Sequence, residues 1–113
     1  MGEMVEFPVN GTNGTGYLAT PASGSGPGVL VIQEWWGLVP HIMDVCDRFA
    51  EEGFTALAPD LFGGRTTTEP DEAGKFMMAL NVEQAAKELR GGIGFLTSSD
   101  AVSSAGVGVV GFC

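Results

Sequence analysis

Hydrophobic and polar positions along this chain follow two different periods, one typical of strands and one typical of helices. Continuous apolar runs at 29–32, 54–58 and 106–113 predict strands that are buried on both faces, as in a parallel sheet. From Pro40 to Gly53 the apolar positions recur at helical spacing instead, with proline in the first turn and glycine at the stop. The pattern therefore predicts an α/β fold with a doubly wound, mainly parallel sheet.

The N-terminal part of the chain predicts an antiparallel hairpin at one edge of that sheet. Two short apolar-leaning runs, 4–9 and 16–19, flank the turn-forming sequence N-G-T-N-G-T-G. Residues 20–28 are rich in proline, glycine and serine, which favours a surface connection. The hairpin therefore precedes the parallel strands without forming a domain of its own.

Two helices are predicted between the second and third parallel strands. Residues 71–80 form a short one, and a longer one starts at Asn81, where Gln84 completes a capping-box pattern, and continues to about Thr97. Three glycines near its end weaken the helix and suggest close packing against the sheet. They are Gly91, Gly92 and Gly94. Residues 98–105 are predicted to be a loop.

Composition narrows the function classes. The 113 residues suffice for one small domain, and 44% of them are hydrophobic, as in an ordinary globular chain. A formal net charge of −9 repels phosphate backbones, so we expect no nucleic-acid partner. The sequence has no apolar stretch of membrane-spanning length and no signal-peptide pattern. We therefore expect a cytoplasmic protein without a membrane partner.

Chemically distinctive residues follow all three parallel strands. The first is followed by Q-E-W-W-G, the second by A-P-D-L-F-G-G, and the third ends in G-F-C. The functional crevice of an open α/β sheet lies beyond the carboxyl ends of its strands. A glycine two positions before a reactive side chain is the first half of a nucleophile elbow. These segments therefore predict one site that contains Glu34 and Cys113.

The motifs V-I-Q-E-W-W-G and A-L-A-P-D-L-F-G-G make the chain resemble the dienelactone hydrolase family of the α/β-hydrolase superfamily, over residues 28–113. The resemblance implies that residues 1–113 are a single α/β-hydrolase domain, apparently its N-terminal half. It makes Cys113 the nucleophile of a Cys-His-Asp triad, Glu34 the carboxylate that contacts the resting thiol, and the Trp35 backbone N–H an oxyanion-hole donor. The triad acid and histidine would follow Cys113.

The same resemblance implies an activity and a class of substrate. The family hydrolyses enol lactones such as dienelactone, in the degradation of aromatic compounds, without a metal or organic cofactor. The expected partner is therefore a small lactone or ester. Trp35 and Trp36 are candidate apolar walls of the pocket, and Glu34 can take the thiol proton if burial raises its pKa. Arg65 and Lys75 are candidate partners for an anionic substrate.

Each of these residues also has a plainer interpretation. Glu34 can be a solvated loop carboxylate, both tryptophans can be core residues, and Asp60 after Pro59 is typical of a turn. His41 precedes Cys113 by 72 residues, whereas the superfamily histidine follows the nucleophile, so we interpret it as structural or as part of the pocket rim. Cys46 lies on the apolar stripe of the first helix and is expected to be a small core residue.

Other functions stay open at this stage. Cys113 can be a redox or acyl-carrying thiol, and the chain can be a catalytically incomplete fragment or a non-catalytic α/β interaction protein. A nucleotide-binding module is disfavoured because neither glycine-rich phosphate motif is present. A sheet that stopped at the last strand would expose an edge. We therefore expect the C-terminal half of the same protein to complete the fold.

Overall fold

The computed structural model of this chain describes residues 2–112. It contains five strands and three helices, in an order that agrees with the sequence pattern. Cys113 lies outside the described residues. The elements are β1 (Glu3–Val9), β2 (Thr12–Ala19), β3 (Gly26–Ile32), α1 (Pro40–Glu51), β4 (Thr55–Pro59), α2 (Pro70–Ala79), α3 (Val82–Ser98) and β5 (Val102–Gly111).

The five strands form one mixed sheet in the order β1-β2-β4-β3-β5. The β1–β2 hairpin is antiparallel and occupies one edge, and β2 also pairs antiparallel with β4. Strands β4 and β5 both pair with β3 in parallel. The edge hairpin and the parallel βαβ unit are thus confirmed, and the carboxyl ends of β3, β4 and β5 share one edge of the sheet.

Helices cover both faces of the sheet, which confirms the doubly wound arrangement. On one face, α1 packs Ile42, Cys46 and Ala50 against small and β-branched residues of the central strands, including Val31. On the other face, Leu96 of α3 packs with residues of the hairpin and the central strands. No helix within residues 2–112 combines the length and apolarity needed to cross a bilayer.

The hairpin turns earlier than the sequence suggested. Val9 pairs with Thr12, so the turn consists only of Asn10 and Gly11, the latter at φ 89°. The second Asn-Gly pair therefore lies within β2. Gly14 is required there because a β-carbon would stand 2.8 Å from the side chains of Phe7 and Val9.

Helix α1 begins and ends at the residues that the sequence predicts. Pro40 occupies its first turn, and Gly53 follows the last turn at φ 95°. The N–H groups of Gly53 and Phe54 donate to the carbonyls of Ala50 and Phe49, both at 3.0 Å. This is a Schellman motif, completed by the edge-on contact of the Phe49 and Phe54 rings, 5.7 Å between centroids.

Helix α3 begins with the predicted cap, because the Gln84 backbone N–H donates to Asn81 Oδ1 at 3.0 Å. Close packing is confirmed for two of its three glycines. A β-carbon at Gly91 would lie 2.7 Å from the Pro8 carbonyl, and one at Gly92 would lie 3.2 Å from Leu30. It is wrong for Gly94, which has open space at that position.

The prediction of a loop through residue 105 is wrong, because β5 already begins at Val102. Its pairing with β3 shifts register between Gly26 and Gly28, and Ser104 Oγ accepts the Gly28 N–H at 3.1 Å within the shifted part. None of the ten β5 residues is buried, and Val109 is 56% exposed. Serines on a strand with exposed faces carry no apolar signal, which explains why the pattern indicated a loop.

Candidate active site at the carboxyl ends of the parallel strands

The ends of β3 and β5 lie side by side. In the parallel ladder Ile32 pairs with Gly111, the last residue of β5. The chain leaves β3 through Gln33 and Glu34, and it leaves β5 through Phe112, which is 37% exposed. The structure therefore brings the Q-E-W-W-G segment next to the end of β5.

A tight turn shapes the segment after β3. The N–H of Gly37 donates to the Glu34 carbonyl at 3.1 Å, and the two residues form an isolated β-bridge. Gly37 adopts φ 99°, and a β-carbon there would lie 2.5 Å from the Arg65 carbonyl. The turn is further tied to the segment after β4 by the Thr67 N–H, which donates to the Trp36 carbonyl at 3.1 Å. The positive φ of Gly37 and the nearby Arg65 carbonyl together require glycine at this position.

Gln33 is a site residue that the sequence analysis missed. Its side chain is buried at 7% exposure, and its Oε1 accepts the Leu61 N–H at 2.9 Å. The amide therefore holds the segment after β3 against the segment after β4. The available signal was a single uncharged polar residue at the end of an apolar strand, since a buried amide needs partners.

Glu34 lies at the junction of these segments. Its side chain is 18% exposed, and Oε1 lies 3.7 Å from Nε2 of His41, whose side chain is 64% exposed. The carboxylate of Glu34 is therefore only partly exposed to solvent. The position of His41 agrees with its interpretation as a rim residue.

The two tryptophans form one aromatic unit. Their ring centroids are 5.2 Å apart and the ring planes are inclined by 59°. Trp35 is 39% exposed, whereas Trp36 is half-buried, so neither is a fully buried core residue. Within residues 2–112, no protein acceptor receives a hydrogen bond from the Trp35 backbone N–H. The described residues therefore leave this donor without a protein acceptor.

Asp60 and Arg65 have local structural partners after β4. Asp60 is buried, and its Oδ1 accepts the Phe62 N–H at 3.1 Å, which confirms the turn interpretation. Arg65 Nε donates to the Phe62 carbonyl at 3.0 Å, and its guanidinium lies 4.9 Å from the centroid of the Phe76 ring. Lys75 is exposed on α2. The role of either basic residue toward an anionic substrate stays a prediction.

Cys46 is a core residue of α1. Cys46 is fully buried within the α1 face of the core, as expected from the apolar stripe. Burial, with a further contribution from the charge of Asp47, raises the pKa of its thiol to about 12. A neutral, inaccessible thiol is a poor nucleophile. The candidate nucleophile Cys113 follows Phe112 in sequence, outside the described residues.

Comparisons with known proteins agree with this arrangement. The family model described as dienelactone hydrolase family matches residues 15–113. The chain is 45% identical to "Protein usf" of Aquifex pyrophilus and 40% identical to a putative carboxymethylenebutenolidase of Aquifex aeolicus. Each match covers 100% of this chain and 51% of the relative, so the chain spans about half the length of these curated relatives.

A solved structure supports the same fold. The putative dienelactone hydrolase from Klebsiella pneumoniae superposes with a TM-score of 0.81 at 27% identity. The match covers 100% of this chain and 50% of that one. The doubly wound sheet with its N-terminal hairpin is therefore of the α/β-hydrolase type.

Proposed function

This chain belongs to the dienelactone hydrolase family, and from that premise we propose that the complete protein hydrolyses a small lactone or ester through the thiol of Cys113. Relatives named putative carboxymethylenebutenolidase support this choice of reaction. Within this proposal, residues 1–113 are the N-terminal half of one α/β-hydrolase domain. No metal, organic cofactor, nucleic acid or membrane takes part, and the expected compartment is the cytoplasm.

The pairing of Ile32 with Gly111 is the observation that carries the proposal. Glu34 is two residues beyond Ile32, and Cys113 is two residues beyond Gly111. Because parallel neighbouring strands leave the sheet in the same direction, this register supports a carboxylate and a thiol at one site. The Trp35 N–H, which has no protein acceptor among the described residues, supports an oxyanion-hole donor beside them.

The proposed chemistry begins with proton transfer from the thiol of Cys113 to the Glu34 carboxylate. The thiolate attacks the carbonyl carbon, so a C–S bond forms while the carbonyl π electrons move to oxygen. The Trp35 N–H and the N–H of the residue after Cys113 stabilise that oxyanion. Collapse of the intermediate breaks the ring C–O bond and releases an enolate, which is a better leaving group than an alkoxide.

Water then hydrolyses the thioester: its oxygen bonds to the carbonyl carbon, one of its protons goes to the enolate, the C–S bond breaks, and the thiolate takes back the proton held by Glu34. We propose that a histidine and an aspartate beyond residue 113 activate this water and complete the triad, since His41 precedes the nucleophile. Trp35 and Trp36 are proposed as apolar walls that limit solvent at the reacting carbonyl. An apolar wall also favours a planar, unsaturated lactone over a strongly hydrated substrate.

We further propose that the rest of the protein covers β5. The relatives are about twice as long as this chain, and β5 has no described neighbour on its outer side. A groove of about 500 Å³ is lined by Phe49 and other residues of α1, by Phe54 and by Phe112, which follows β5. Polypeptide following Cys113 that packed beside β5 would cover an exposed strand edge, and in the groove it would remove the exposed Phe112 side chain from water.

The test uses the complete protein with an activated ester and an enol lactone as substrates. We expect Cys113→Ala to abolish turnover of both, and iodoacetamide to inactivate the enzyme in proportion to labelling of Cys113. Cys46→Ala is the matched control, which removes the buried thiol and should preserve turnover. Full activity of Cys113→Ala would reject the nucleophile, and a folded protein inactive on every ester would favour a non-catalytic interaction role.

A further inference from the structure

The side chains of Glu34 and His41 approach each other at the candidate active site. The chain has 14 acidic residues and only five lysines and arginines. Within residues 2–112, the distance of 3.7 Å from His41 Nε2 to Glu34 Oε1 is the only approach of a basic side chain to a carboxylate at ion-pair distance. The single contact of this kind therefore falls on the carboxylate that the proposed chemistry uses.

The backbone on both sides of this contact is fixed. Glu34 is held by the bridge to Gly37, and His41 lies in the first turn of α1, directly after Pro40. Leu38 and Ile42, which are 5% and 0% exposed, anchor the connecting residues in the core. The approach of imidazole and carboxylate therefore follows from the fold, although the imidazole itself is on the surface.

The surroundings of the Glu34 carboxylate explain what a nearby imidazole contributes. Its side chain is only 18% exposed, and no hydrogen-bond donor within residues 2–112 contacts its carboxylate. A partly buried carboxylate without hydrogen-bond donors is not held in one orientation by hydrogen bonds. At 3.7 Å a protonated imidazole attracts the carboxylate without a hydrogen bond, so it biases the position of the carboxylate without removing its ability to accept a proton.

We propose that His41 is a positioning residue that orients the Glu34 carboxylate toward the thiol of Cys113. This inference rests on the proposed function, because it assigns Glu34 the role given above. His41 itself forms no bond to the substrate and transfers no proton. In its protonated form it acts through Glu34, so its effect on the thiol disappears when Glu34 carries no charge.

A double-mutant cycle on the complete protein tests this role through the rate at which iodoacetamide labels Cys113. We expect His41→Gln to slow labelling roughly two- to fivefold, the size expected of one partly exposed charge pair. In a Glu34→Gln background the same change should have no further effect. His41→Lys, which keeps a positive charge, should restore part of the rate. Asp44→Asn, an exposed change on the same helix, is the matched control and should leave the rate unchanged.

Two results would overturn the inference. One is an unchanged labelling rate in His41→Gln, and the other is an equal effect of His41→Gln with and without the Glu34 carboxylate. Circular dichroism of each variant shows whether it is folded, and His41→Asn replaces His41→Gln if that variant is not. Because labelling needs no substrate, this measurement is separate from the proposed hydrolysis. Failure of Cys113→Ala to abolish turnover would reject the hydrolase mechanism, whatever the outcome of the cycle.

Discussion

Strands β4 and β5 run parallel to the same central strand, β3, but differ in burial. All five residues of β4 are buried, whereas none of the ten residues of β5 is. Their sequences are similarly rich in small and aliphatic residues. The difference lies in their neighbours, because β4 lies between β2 and β3, while β5 has a described neighbour only on the β3 side. Burial of an apolar strand is therefore a property of the surrounding layers.

Truncation of one aliphatic side chain in each strand should show this contrast most strongly. Leu57 of β4 is 0% exposed, so Leu57→Ala is expected to reduce the free energy of unfolding by about 2–5 kcal/mol. Val109 of β5 is 56% exposed, and Val109→Ala should change it by less than about 0.5 kcal/mol. Urea unfolding of the 113-residue chain, followed by circular dichroism, measures both.

The same two substitutions, made in the complete protein, test whether β5 is covered there. If polypeptide beyond Cys113 packs on β5, Val109→Ala should there become clearly destabilising, while the loss from Leu57→Ala stays similar. A small effect of Val109→Ala in both proteins would contradict the proposal that the rest of the chain covers this strand.

The parallel strands were predictable from their continuous apolar runs, but the burial on both faces that such runs predict is wrong for β5. The start of β5 was not predictable, since Ser103 and Ser104 lie on an edge strand where polar residues are compatible with pairing. In α3, close packing was expected of all three glycines but holds only for two. Sequence spacing alone does not show that Gly94 faces open space.

The candidate site was also predictable only in part. The strand ends indicated Glu34 and both tryptophans, since chain direction in a parallel sheet gathers such segments at one edge. The roles of Gln33 and His41 depend on how the turn at Gly37 folds back and on how the segment after β4 packs against it. Such contacts between loops leave no period in the sequence.

Replacing one glycine of β3 and one of β5 by alanine should give the next largest effect on stability. A β-carbon at Gly26, which begins β3, would stand 1.8 Å from the Gly53 carbonyl oxygen, so backbone must shift. We expect Gly26→Ala to cost about 1–3 kcal/mol of unfolding free energy. Gly108 of β5 has no atom within 4 Å of that position, and Gly108→Ala is expected to stay within about 0.5 kcal/mol. Equal losses in thermal or urea unfolding would show that β5 is packed as tightly as the central strands.

The pH dependence of the free energy of unfolding tests the burial of Cys46, whose thiol packs against the central strands. Its pKa rises from 9.0 to about 12, mainly through burial. Below pH 9 both folded and unfolded chains keep the proton, whereas between pH 9 and 12 only the unfolded chain releases it. Stability should therefore fall in that window, by up to roughly 1.4 kcal/mol per pH unit from this thiol. The Cys46→Ala variant should show a shallower fall in urea unfolding, and an identical pH dependence would contradict burial of the thiol.

The smallest expected effects concern two hydroxyl groups that attach the beginning of β5 to the rest of the sheet. Thr55, fully buried at the start of β4, donates its hydroxyl to the Ala101 carbonyl, just before β5. Thr55→Val should cost about 0.5–1.5 kcal/mol, because the Ala101 carbonyl then keeps only the Gly26 N–H as a donor. Ser104→Ala removes the acceptor of the Gly28 N–H in a half-exposed position, where water replaces it at little cost.

Hydrogen exchange separates these two attachments. Ser104→Ala should speed exchange of the Gly28 amide several-fold while leaving global stability almost unchanged, whereas Thr55→Val should speed exchange across the first part of β5. A global loss from Ser104→Ala would mean that the irregular part of β5 supports the whole sheet. The opposite result for Thr55, no change in β5 exchange, would mean that pairing with β3 alone holds the strand in place. The expected pattern is that the beginning of β5 depends on Thr55 of β4 as well as on its pairing with β3.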